Sequence, residues 1–175
     1  MNYITSEMLL GFMDKHVDDG DQKPQSYCDS AMEMVRDYLG YDPESQEYTQ
    51  TIKGDDGALA ALCAKPITEI SAFSIDGVEH EAGELEVESG NYICFVDNSV
   101  FRKGSRFTIT FTAGFTEVPE IIKTTALQIA SLIWESAGGN LAVSSTSFAD
   151  TGSRVFNNFA ADRFLKQIAK YKREF

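Results

Sequence analysis

Glu79, Glu81, Glu84, Glu86 and Glu88 lie close together in the chain, and a pair of such carboxylates could in principle run glycoside hydrolysis. That chemistry needs one carboxyl kept protonated by an apolar pocket, whereas acids at alternate positions are what the wet face of a strand presents. A carboxylate-based hydrolase is therefore the weaker alternative. Asp14, Asp18, Asp19 and Asp21 suggest a calcium loop, but their spacing misses the EF-hand register and no bidentate glutamate closes it. Asp55-Asp56-Gly57 is a still shorter version of the same pattern, read as a solvated turn. The two histidines, His16 and His80, have no second transition-metal ligand at helical spacing, so both read as surface residues. Neither a phosphate-cradling glycine loop, nor GxGxxG, nor a GxSxG elbow is present. The expectation is a protein with no catalytic residues, no cofactor and no metal.

Charge narrows the partners. With 15 Lys+Arg and 27 Asp+Glu in 175 residues the net charge is −12, the wrong sign for coating a phosphate backbone. The imbalance is polarised, since residues 1–100 carry 5 basic and 21 acidic side chains and residues 101–175 carry 10 and 6. Two surfaces of different character follow. Arg102, Lys103 and Arg106 form a short basic cluster that reads as a hairpin tip, without the aromatic interleaving of a base-stacking platform. Cys28, Cys63 and Cys94 are odd in number and far apart, which fits neither a disulfide framework nor a zinc knuckle and implies a reducing compartment. The first residues lack the basic start of an export signal, and the most apolar stretch, Ile121 to Trp134, is too short and too polar to span a bilayer. No membrane partner is expected.

The elements that carry these residues follow from periodicity. Thr5 reads as an N-cap and Ile4 as a staple onto Leu9, predicting a helix over about 6–16, followed by an exposed acidic turn over 17–23. From Pro24, apolar positions Tyr27, Cys28, Ala31, Val35 and Tyr38 recur at helical spacing to about Leu39, with Gly40 suited to a left-handed terminus. Residues 41–57 are acidic and turn-rich, with Tyr48 to Lys53 able to form a short edge strand. Between 59 and 112 the period falls to two: a hairpin turns at Asp76-Gly77, short strands cover 85–87 and 92–96, and 107–112 alternates Phe or Ile with Thr. One small antiparallel sheet is predicted there.

Helix resumes after Val118-Pro119, and Ile122, Ala126, Ile129, Ala130 and Ile133 share a face of a roughly four-turn core helix ended by Gly138-Gly139. Residues 140–158 show no convincing period and predict a mobile loop, or one ordered only by a partner. The last segment, about 159–173, is an amphipathic basic helix with Ala161, Phe164, Leu165, Ile168 and Tyr171 on one stripe. Fold class is thus α+β: a mainly helical core of about four helices with a small antiparallel β insertion at about 59–112, in a single domain over 1–175.

The run from Phe107 to Glu135 resembles the head–tail connector (adaptor, or head completion) family of long-tailed phages. The features that carry the likeness are the threonine-rich strand, the Ala113-Gly114-Phe115 turn, Val118-Pro119, Ile122-Lys123 and a helix closing in Trp134-Glu135. Tyr38-Leu39-Gly40, Lys65-Pro66-Ile67 leading to Asp76-Gly77, and Tyr171-Lys172-Arg173 extend it over most of residues 5–172, while 41–57 and 140–158 depart from it. The resemblance implies a ring of about twelve copies in the virion neck, assembled in the bacterial host cytoplasm. Its partners would be copies of itself, the portal protein above, and a downstream neck or tail-completion protein. DNA would pass through the conduit without specific binding. It further suggests that the C-terminal helix docks on the portal through Arg163, Phe164, Lys166, Gln167, Lys170, Tyr171 and Arg173. A different neck position, such as a tail-completion protein, is the structural alternative.

Overall fold

The computed structural model describes residues 2–16, 22–137, 145–148, 152–155 and 160–173. Its fold is α+β, and its contacts divide the chain into two compact units: Met1–Tyr38 with Pro119–Tyr171, and Leu39–Val118 with Lys172–Phe175.

The first unit is built on helices. In α1 (Ser6–Met13) the Thr5 hydroxyl accepts from the Met8 amide at 3.3 Å, as the capping pattern predicts. The helix stops short of His16 because Asp14 takes a left-handed conformation at φ 52° and closes it, its amide donating back to Gly11. Helix α2 (Lys23–Leu39) buries Cys28, Ala31, Met32, Val35 and Leu39, while Tyr27 and Tyr38 lie half-buried at the margins of that stripe. Helix α3 (Glu120–Ala137) is about five turns long, one more than expected. The Pro119 carbonyl opens it, accepting from Ile122 at 2.8 Å and Lys123 at 3.2 Å. Ile122, Ala126, Ile129 and Ala130 are fully buried, and Ile133 is half-buried one turn beyond them. Helix α1 packs on α3, as does α4 (Ala160–Leu165) with the 3-10 turn that continues it over Lys166–Tyr171. Near the end of α3, Trp134 meets Tyr27 edge-on at 5.5 Å and carries the Lys15 ammonium 5.2 Å from its ring centre.

The terminal segment corrects the expectation of one continuous helix. Six residues of α-helix give way to six of 3-10, and the tighter winding stacks Leu165, Ile168 and Tyr171 in one column. Residues 140–158 also differ from expectation in their described parts. There β8 (Ser145–Phe148) pairs antiparallel with β9 (Gly152–Val155). Strands of four residues are too short to leave a readable period in the sequence. The remainder of that stretch, Gly138-Gly139 and residues 17–21 lie outside the described residues.

The second unit holds two sheets where one was expected. In the larger, the order is β1 (Gln46–Lys53), β7 (Arg106–Ala113), β3 (Ile67–Ile75), β4 (Val78–His80), all antiparallel. Strand β1 is the edge strand that Tyr48 to Lys53 foreshadowed, two residues longer and in unbroken register with β7. The smaller sheet is β2 (Leu59–Ala61), β6 (Tyr92–Phe95), β5 (Leu85–Ser89). They separate because a 3-10 turn at Ala82–Glu84, boxed by Glu81 and Glu84, redirects the chain after only three residues of β4. At the hairpin, Asp76 (φ 51°) and Gly77 (φ 86°) both occupy the left-handed region that a two-residue turn requires.

Alternation along β7 places Phe107, Ile109, Phe111 and Ala113 in the core and Thr108, Thr110 and Thr112 on the opposite face. Phe73, Phe95, Phe101 and Phe107 form one aromatic cluster, with Phe95 and Phe101 centred 4.8 Å apart and Phe101 edge-on to Phe107 at 5.2 Å. On the outer face, Thr49 pairs with Thr110 and Thr51 with Thr108, each hydroxyl pair at 3.0 Å.

Candidate assembly surface

Segment 160–171 divides its residues between folding and surface. Leu165 and Ile168 are buried, so the inner column belongs to the core. Phe164 and Tyr171 are half-buried, and Arg163, Lys166, Gln167 and Lys170 are exposed. The Lys170 ammonium lies 4.9 Å from the Tyr171 ring centre, which fixes one cation over a half-buried aromatic. Arg173 has another occupation. Its guanidinium donates to the Cys63 carbonyl at 2.8 Å, and its amide donates to the Leu39 carbonyl at 3.0 Å. Of the seven residues singled out for docking, the structure thus presents four as open polar surface and commits Arg173 to the second unit's own backbone.

The glutamates of 79–88 are all exposed, among them Glu84, which shares an open groove with Asp97, Phe95 and Val96. Glu84 accepts from the Glu81 amide at 3.3 Å and contacts His80. Asp97 accepts from the Ser99 hydroxyl at 2.8 Å and its amide at 2.9 Å, and these bonds pull its carboxyl below the usual range. The hydrolase alternative needs one glutamate of 79–88 in an apolar pocket, and all five face solvent.

Glu86, Glu88 and Cys94 bring three ligand atoms within 4.8 Å of one another. Desolvation first, and the neighbouring Glu86 second, push the Cys94 thiol up. Cys28 is pushed up to about 11 by burial and by Asp29, and Cys63 is raised mainly by burial. All three thiols are free.

The remaining polar clusters work as structural fasteners. Asp55 accepts from the Gly57 amide at 2.8 Å, and Asp56 accepts from the Lys103 amide at 2.8 Å. Asp56 and Phe101 also tie the two loops through backbone bonds, so the Asp55-Asp56-Gly57 turn anchors the loop that holds Arg102 and Lys103. Asp14 is the cap of α1, while Asp18, Asp19 and Asp21 lie outside the described residues. His16 and His80 are exposed, as expected. Among the described residues, no helix is long and apolar enough to cross a membrane.

Sequence reasoning underrated the outer edge of β1. Its signal was present in the strict alternation of Tyr48, Gln50 and Ile52 with Glu47, Thr49, Thr51 and Lys53, overshadowed by the acidic and turn-forming residues on either side.

No family model matches the sequence, and no curated protein matches it. Solved structures do. The chain superposes on a chain from the neck of an empty GTA particle, computed with C6 symmetry, with TM-score 0.64 and 14% identity, covering 99% of this chain and 91% of that one. A chain from the neck of the native GTA particle, computed with C12 symmetry, matches with TM-score 0.60 and 15% identity over 95% and 88% of the two chains. A chain of the virion of a native gene transfer agent particle gives TM-score 0.60 and 14% identity over 94% and 83%. At these identities the fold is what is shared.

Proposed function

We propose that this protein is a structural subunit of a phage-type neck: a single connector-like chain that forms a ring of about twelve copies beneath the portal and joins capsid to tail. The observation that carries the reading is the match over nearly the whole chain to neck chains of particles solved with sixfold and twelvefold symmetry. Support from the residues is independent of that match. The glutamates of 79–88 all face solvent, and the exposed cations of 163–170 belong to a chain that is otherwise strongly acidic.

In this reading, Arg163, Lys166, Gln167 and Lys170 face the portal, with Phe164 and Tyr171 bordering them. Leu165 and Ile168 hold the segment on the core. Other surfaces meet the neighbouring copies and the next neck or tail-completion protein. A ring of about twelve chains at −12 each surrounds the conduit with negative potential, so DNA slides through without being held. The protein works in the virion neck after assembly in the host cytoplasm, without catalysis, cofactor or membrane.

The test is the mass of the chain alone and with its cognate portal ring, followed by electron microscopy of the complex. A ring directly below the portal supports the adaptor position. A ring that joins only after another neck protein is present moves the chain to a later position, and a chain that never self-associates overturns the reading.

A further inference from the structure

The outer edge of β1 is open along its whole length. Gly54 donates to Ser105 at 3.0 Å in register with the β1–β7 ladder, so antiparallel alternation directs the even residues 46–52 toward β7 and the odd residues outward. The backbone amides and carbonyls of Glu47, Thr49, Thr51 and Lys53 point away from the sheet, and no described residue bonds to them. Neither a proline nor a bulge interrupts the strand, and its charges, Glu47 and Lys53, stand toward its ends with Thr49 and Thr51 between them. Such an edge is a template for a further strand.

Among the described residues, β8 and β9 form a ladder of two strands. A two-stranded hairpin is marginal in water, and a third strand is the ordinary remedy. The lengths agree. Outward groups on β1 recur every ~7 Å over ~20 Å, and a four-residue strand spans ~13 Å, enough to engage two of them.

We propose that the β8–β9 hairpin of one copy adds to the β1 edge of the next, so that β-strand addition joins successive subunits. The contact is head-to-tail, since edge and hairpin are different parts of the chain, and a heterologous contact of that kind is what closes a ring. The inference rests on the ring reading above and names the interface that the ring would use.

Two measurements on the full chain test it. Thr49→Pro removes an amide donor that the fold does not use, together with the Thr49–Thr110 hydroxyl pair, so its far-UV circular dichroism should match the parent and its melting temperature fall only slightly, while self-association, alone or beside the portal ring, weakens at least tenfold. Equal association of the variant and the parent overturns the interface and leaves the ring reading standing; a parent that stays monomeric in both conditions overturns both. The second measurement does not depend on that variant folding. In a Cys63→Ser, Cys94→Ser background, a chain carrying Thr49→Cys is mixed with one carrying Ser147→Cys or Ser153→Cys under mild oxidation. Disulfide-linked dimers of the two different chains support the proposal, with 147 or 153 reporting which hairpin edge docks. Links formed only between two Thr49→Cys chains, or not at all in assembled material, overturn it.

Discussion

Asp76 and Arg106 are fastened in both directions: the Asp76 carboxylate accepts from the Arg106 amide at 2.8 Å, and the Asp76 amide donates to the Arg106 carbonyl at 2.8 Å. The tip of the β3–β4 hairpin is thereby welded to the first residue of β7, one of the two interior strands of the sheet. Asp76 performs two tasks at once, occupying the positive-φ turn position and clamping a strand thirty residues away.

This clamp predicts a pH dependence. The bond from the Arg106 amide, with help from the Ser105 hydroxyl and the Arg106 charge, holds the Asp76 carboxyl below its ordinary value. A carboxylate depressed in the folded state contributes stability above its unfolded pKa of about 4 and loses that contribution as pH falls through the folded value. Urea midpoints of the parent and Asp76→Asn should therefore differ at pH 7 and converge in acid below pH 4. A gap that is constant across the range would show that the ionised carboxylate adds nothing beyond the turn itself.

Gly54 lies where the chain leaves β1, and a Cβ there would overlap the Phe101 and Arg102 carbonyl oxygens. Those are backbone atoms held by the Asp56 fastening, so they cannot simply swing aside. Gly54→Ala should cost about 1–3 kcal/mol. The check is chemical denaturation, and an unchanged midpoint would mean that the 101–105 loop yields freely.

Within the terminal segment, burial separates neighbours. Ile168 is fully buried and Phe164 is not. Ile168→Ala should destabilise the protein by about 2–4 kcal/mol through transfer and cavity terms, and Phe164→Ala by clearly less. The reverse order would place Phe164, not Ile168, against α3.

Arg173 should behave as a structural residue. Losing its charge-assisted bond to the Cys63 carbonyl predicts about 1.5–3 kcal/mol of destabilisation for Arg173→Ala. Lysine cannot reproduce the planar donor fork, so Arg173→Lys should recover only part of that loss. Thermal denaturation decides it.

The exposed cations should behave oppositely. Lys166→Glu and Lys170→Glu are expected to leave the melting temperature nearly unchanged while weakening portal binding by about 1 kcal/mol each, roughly fivefold in Kd, with a loss that shrinks at high salt. Binding isotherms at two ionic strengths test this. Portal affinity indifferent to both substitutions would remove the docking face from this segment.

How much was legible in advance varies with the range of the interaction responsible. Caps, turns and helix stripes depend on residues within a few positions of one another. Thus Thr5, Gly40, the Asp76-Gly77 turn, the Pro119 start and the buried row Ile122, Ala126, Ile129, Ala130 could all be read from the chain. Where local signals conflicted, the reading failed. The acids and turn formers around β1 hid its first two residues, Gln46 and Glu47, and strands as short as β8 and β9 left no period.

By itself the sequence determined the α+β class, the acidic and polarised charge, the absence of any recognisable catalytic motif, and the amphipathic end segment, because composition and spacing are properties of the chain alone. Tertiary structure decided what spacing cannot encode. It split the strands into two sheets, drew Leu165 and Ile168 into the core, bound Arg173 to the Cys63 carbonyl, and left the outer edge of β1 open. Those outcomes depend on which distant backbone groups pair and which distant apolar faces pack together, and both are settled only when the chain has folded.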